Sequence, residues 1–189
     1  TTKQVANLTK TQLNAQITTA QLAAMQTRQV AALTPTQLGY LSTSQIAQGL
    51  STAHIAGLTT AQVKALSTTQ ISQGLTTAQV VALTTANLAA ITTAQITAFT
   101  TAQIAALTTA QVVALTTDQV STLTTAQIAA FTTAQLEQLE TDDLAAITTE
   151  QVTALKAVQI AALTTAQVVA LTTDQVSTLT SAQLAALTT

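Results

Sequence analysis

The chain of 189 residues has no cysteine and no tryptophan, one proline, one histidine and four glycines. Without cysteine, a disulfide framework, a thiol nucleophile and a Cys-ligated zinc site are all excluded. Aromatic residues make up only 2% and charged residues 6%. Five Lys and Arg against seven Asp and Glu leave a net charge of −2. Phosphate neutralisation needs many more cations, so no nucleic-acid partner is expected. Long apolar runs are missing too: they stop at stretches such as Val80-Val81-Ala82-Leu83, whereas a spanning helix needs about 20 residues. No membrane insertion is expected, despite a mean hydropathy of +0.42. No charged segment followed by an apolar one opens the chain, so no signal peptide is visible. A start at Thr1-Thr2 reads as a processed protein or a fragment. Ordinary disorder is disfavoured, because 48% hydrophobic residues at low net charge reverse its signature.

What is present is a repeat. Thr (45), Ala (39), Gln (25) and Leu (24) dominate, and they recur as Leu-Thr-Thr-Ala-Gln-Ile-Ala-Ala. Anchored on the Gln slot, the array runs in steps of eight residues from position 4 to position 183. Three steps are nine residues long, namely 12 to 21, 45 to 54 and 70 to 79. The chain reads as one continuous array over 1–189, more irregular over 1–79 and built of regular octads over 80–189. Residues 103–124 recur identically at 159–180, which points to duplication of whole octads.

The period selects the fold. In one continuous α-helix, eight residues turn through roughly 800°, so the apolar stripe would drift by about 80° per octad. In a continuous strand, apolar slots five and then three residues apart fall on opposite faces. A short helix followed by a turn fits. Thr-Thr-Ala-Gln is a capping box, with the first Thr at the N-cap and Gln at N3. The N-cap slot departs from Ser or Thr only at Gln26, Glu140 and Lys156. Apolar residues precede the cap and follow the Gln, which are the N′ and N4 positions of a hydrophobic staple. Pro35 falls at N1, where a helix tolerates proline best. The expectation is an all-α solenoid of about 23 very short capped helices; the alternative is a β-solenoid, encouraged by Thr, Val and Ile. In the nine-residue repeats, Gly49 and Gly74 are expected to absorb the extra residue as left-handed C′ caps.

Candidate chemistry is sparse. His54 occupies a Gln slot, and reads as a surface capping residue in preference to an acid–base group or metal ligand. Glu137, Glu140, Asp142, Asp143 and Glu150 form an acidic cluster. A weak calcium site is conceivable, but favourable placement near helix N-termini suffices to explain it. The hydroxyls lack an accompanying base, so none is a credible nucleophile. Asn7-Leu8-Thr9 matches a glycosylation sequon that chance explains in so Thr-rich a chain. Phe99 and Phe131 sit in core slots, and Tyr40 takes a small-residue slot at the surface. No catalytic, cofactor-binding or metal-binding residue is assigned, and no enzyme activity is expected.

Charge is unevenly placed. Lys3, Lys10, Arg28 and Lys64 lie in the first third, and every acid lies at or beyond Asp118. A basic start and an acidic end favour head-to-tail contact. The array opens at a cap residue and closes partway into another octad, without polar capping repeats. That suggests a segment of a longer array or a subunit stacking into a filament.

Octads such as Leu107-Thr108-Thr109-Ala110-Gln111-Val112-Val113-Ala114 resemble repeat tracts of very large bacterial secreted and cell-surface proteins. The resemblance implies an adhesin, a surface-layer part or a biofilm matrix fibre, outside the cell or at its surface. The expected role is a self-associating fibre subunit or a spacer, with partners drawn from its own kind or from neighbouring repeats. The alternative is a ligand-binding Thr array, with ice as the most concrete ligand.

Overall fold

The computed structural model describes residues 1–187. They fold as two compact units, 1–99 and 100–187. The described residues contain twenty α-helices of four to six residues and three π-helical turns of five, and no strand. The fold is an all-α repeat array, which overturns the β-solenoid alternative. Local capping decides this against the β-propensity of Thr, Val and Ile.

Most helices start where a capping box starts them. At the helix Thr93–Thr97, the Thr92 hydroxyl accepts from the Gln95 amide at 3.2 Å. The Gln95 carbonyl oxygen Oε1 in turn accepts from the Thr92 amide at 2.9 Å. Pro35 opens the helix Pro35–Gly39 after the Thr34 cap, as its fixed φ favours. Gln26 and Lys156 form half a box: their amides donate to Gln29 Oε1 and Gln159 Oε1, and their side chains make no cap bond.

Helices this short are unstable in isolation, and the staple positions supply the missing energy. Ile91 and Ile96, or Leu107 and Val112, are buried as N′ and N4 pairs. Each such side chain contributes about 1.5–3 kcal/mol on burial. Phe99 and Phe131 are core residues, as their slots imply. In the N-terminal unit, Pro35–Gly39 packs against Thr60–Lys64, and Thr60–Lys64 against Thr85–Ala90. In the C-terminal unit, Thr117–Thr122, Thr141–Ala146 and Thr165–Ala170 stack in the same way. Successive partners are three repeats apart, so the thin core is shared between turns of a superhelix.

The nine-residue repeats depart from expectation. Their extra residue is taken up by the π-helical turns Gln12–Gln16, Gln45–Gly49 and Gln70–Gly74. The Ile17 amide donates to the Gln12 carbonyl at 2.9 Å and the Leu75 amide to the Gln70 carbonyl at 3.0 Å, an i→i+5 closure. No described glycine has a positive φ, so the left-handed caps expected at Gly49 and Gly74 do not form. A wider turn admits one more residue without reversing φ. Gly49 is needed for a different reason: a Cβ there would lie 2.9 Å from Leu22 Cδ2 and 3.1 Å from Leu22 Cβ. The absent side chain lets this turn close onto the helix Thr19–Ala23. No helix among the described residues is long and apolar enough to cross a membrane.

Candidate functional site

The most specific chemistry in the molecule lies in the Gln slot. From Gln37 to Gln183 the residues in this slot are buried, with exposures of 2–6%. The capping box uses only the amide oxygen, and the nitrogen has a second task. Gln135 Oε1 accepts from the Thr132 amide at 2.7 Å. Its Nε2 donates to the carbonyls of Ile104 at 3.0 Å and Leu107 at 2.6 Å, which lie 31 and 28 residues earlier. Gln175 repeats this on Leu144 and Ile147, and Gln183 on Val152 and Leu155. In the N-terminal unit, Gln95 reaches Val63, Lys64 and Leu66, while Gln70 reaches Leu38, Gly39 and Leu41. The offset places roughly three and a half octads in one superhelical turn.

The physical need is plain. An α-helix leaves its first four N–H and last four C=O groups without internal partners, and in a five-residue helix nearly every group is terminal. Leaving such a group buried and unpaired costs about 1–3 kcal/mol. One Gln side chain satisfies an orphan donor of its own helix and orphan acceptors of the helix one turn earlier. Within each unit the resulting ladder ties turns to the ones before them. Glutamate could close the local box, but it has no donor for the carbonyls below.

Three residues replace Gln in this slot, and each shows what the slot demands. His54 is buried at 4% exposure, which corrects its expected surface position. Its Nδ1 accepts from the Ser51 amide at 3.2 Å, and its Nε2 lies 2.8 Å from the Met25 carbonyl. The two partners fix the neutral Nε2–H tautomer, with imidazole reproducing the acceptor and donor of a Gln amide. His54→Gln is therefore expected to keep or raise stability in thermal unfolding. His54→Ala orphans both partners and is expected to lower stability by about 2–4 kcal/mol. Asn87 is one methylene shorter. Its Nδ2 still donates to the Leu58 carbonyl at 3.0 Å, but its helix lacks a closed capping box. Asp143 is the third and offers no donor when ionised.

The remaining residues singled out by sequence do not assemble with these. Glu140 is an N-cap residue without a side-chain cap bond, Asp142 lies in the first turn of the helix Thr141–Ala146, and Glu150 in that of Thr149–Ala154. Glu137 is a C-cap residue. Among the described residues, no three His, Asp or Glu side chains come together as metal ligands. Tyr40 is half-buried, and Lys10 Nζ sits 5.4 Å from its ring centroid, a cation–π contact. Asn7 Nδ2 donates to the Lys3 carbonyl at 2.8 Å. The second Thr of the repeats stays on the surface, as at Thr77, Thr85, Thr93, Thr101 and Thr109.

Two further features lie outside the cross-turn ladder. In the N-terminal unit, the side-chain amide nitrogens of Gln4, Gln12, Gln21 and Gln29 make no cross-turn bond among the described residues, and Gln4, Gln12 and Gln21 are exposed. An open recess of about 630 Å³ there is bordered by Thr1, Thr2, Gln26, Arg28 and Gln29. In the C-terminal unit, the N4 residues Val176 and Leu184 are 43% and 52% exposed, whereas Leu136 and Leu144 in the same slot are buried. A recess of about 280 Å³ there is bordered by Ile160, Leu163, Val168 and Leu187.

Capped helices of one to two turns, stapled pairwise and cross-tied by buried amides, define an α-solenoid scaffold built from an octapeptide. Residues 15–48, 48–73, 73–101, 88–125, 120–157, 136–173 and 158–189 each match the ALTTAQ repeat. The chain belongs to the ALTTAQ repeat family. No curated protein matches it.

Proposed function

We propose that the chain is a structural, non-enzymatic repeat protein of a bacterial surface or extracellular matrix, serving as a spacer or a self-associating fibre subunit. One observation carries this reading: within each unit, turn after turn docks on the previous one through Gln amides and staple residues. Length is therefore gained by adding turns, with no new interface to invent. Two exposed faces support it. Gln4, Gln12, Gln21 and Gln29 present donors, while Val176 and Leu184 present apolar N4 side chains of the kind that a following turn covers. Four of the five cations lie in residues 1–99 and all seven acids in residues 100–189, which favours head-to-tail approach at low salt. The next turn is supplied by further repeats, of the same chain or of a second copy.

Sedimentation and electron microscopy of the purified chain test the fibre form. Concentration-dependent linear assemblies are expected, and Val176→Glu combined with Leu184→Glu is expected to leave a monomer. A wild-type chain that stays monomeric at high concentration leaves only the spacer. The rows of exposed second threonines keep an ice-binding surface as the second reading, and thermal hysteresis with ice shaping is its test.

A further inference from the structure

Asp143 breaks the rule of its slot. Its side chain is 2% exposed. Oδ1 accepts from the Thr117 hydroxyl at 2.8 Å, and Oδ2 is buried without any hydrogen-bond partner. The ladder specifies what belongs at this point. Gln135 and Gln151 each donate to the carbonyl 28 residues earlier, Leu107 and Leu123. The corresponding carbonyl for position 143 is that of Leu115. No rung amide reaches it, because an ionised aspartate has nothing to give. A side chain of the same length performs the task elsewhere: Asn87 Nδ2 donates to Leu58 at 3.0 Å. An unpaired buried acceptor and an unserved buried carbonyl therefore occupy one rung.

We propose that Asp143 is a proton-operated rung: protonated, it donates from Oδ2 to the Leu115 carbonyl and completes the ladder, and ionised, it leaves that turn open. A proton cures both defects at once, since it converts the orphaned oxygen into the donor that the slot requires. The surroundings agree. Burial holds the carboxyl above its usual 3.8, with Glu140 and Asp142 pushing in the same direction and the Thr117 hydroxyl opposing them. The helices packed against Thr141–Ala146 are Thr117–Thr122 and Thr165–Ala170. The first brings Asp118 as its one ionisable side chain and the second brings none. No cation from these elements offsets the buried negative charge.

The linkage has a defined sign. An acid whose folded value is raised contributes stability that is complete below the unfolded value. That contribution is lost as pH rises through the folded value. Each unit of separation corresponds to about a tenfold change in the folding equilibrium. Acid is thus expected to tighten this turn, opposite to ordinary acid denaturation.

The test uses the full chain. The Asp143 ¹³Cγ resonance is followed through a pH titration, and thermal unfolding is compared for wild type, D143N and D143Q. Asp143 is expected to titrate above the usual range for carboxylates, with the wild type losing stability across that titration. D143N, which donates at every pH as Asn87 does, is expected to lack that loss, and D143Q to match D143N or exceed it. The proposal is overturned if Asp143 titrates at or below the usual value, or if D143N follows the wild-type profile. It is equally overturned if calcium at neutral pH stabilises the wild type but not D143N, since a cation then fills the rung.

Discussion

Gln95→Ala is expected to lower the stability of the N-terminal unit by about 2–4 kcal/mol in urea unfolding. The loss exceeds that of an ordinary N-terminal cap, about 1 kcal/mol, because two ends are undone together. Thr92 loses the acceptor for its amide, and the Leu66 carbonyl loses a donor at 2.7 Å. Gln95→Glu separates the two tasks. It preserves the acceptor for Thr92 but turns a carboxylate oxygen toward Val63, Lys64 and Leu66, whose carbonyls accept from Nε2 in the wild type. Buried and facing acceptors, the new carboxyl has its protonation favoured by the fold. Gln95→Glu is therefore expected to be less stable than Gln95→Ala at neutral pH and to recover on acidification. Equal stability of Gln95→Glu and wild type at neutral pH would show that the cross-turn bonds contribute nothing.

The core gives the second large effect. Leu136 occupies an N4 slot at 1% exposure, and Leu136→Ala is expected to cost about 2–5 kcal/mol. Val113, at N5 of its repeat and 41% exposed, is the control: Val113→Ala is expected to change stability by less than about 0.5 kcal/mol. Repeat arrays couple mainly through neighbouring repeats. Amide exchange in Leu136→Ala is therefore expected to rise first in the helix Thr133–Leu136 and in the helix stacked on it, Ala157–Ala161. A uniform rise throughout the C-terminal unit would instead indicate a fully cooperative block.

The parts of this fold that were legible in sequence are those whose cause is local. Thr92 and Gln95 are three residues apart, and the capping box needs nothing beyond them, so helix starts and staple positions follow directly from the octad. The partners of Gln95 Nε2 lie 29 to 32 residues away, and no local rule points to them. A signal was nevertheless present. A capping box accepts Glu as readily as Gln, yet the slot holds Gln, His, Asn and Asp and never Glu. That bias marks a required donor, and it would have placed His54 inside. Gly49 misled for a related reason. Glycine beside a helix end suggests a left-handed cap, whereas here its value is the room it leaves for Leu22, a residue 27 positions earlier.

The π-helical turns give the two units different freedom to change length. In the C-terminal unit the rungs of Gln135, Gln151, Gln167, Gln175 and Gln183 span the same offsets, so loss or gain of one octad slides such a rung onto an equivalent octad. In the N-terminal unit, the turn Gln70–Gly74 rests on Gln45–Gly49, which rests in turn on Thr19–Ala23. Removing an octad between them would bring a residue with a Cβ to the place where Gly49 meets Leu22. Slippage is therefore neutral in one unit and penalised in the other. The identical stretches 103–124 and 159–180 lie where copying in whole octads leaves the register intact.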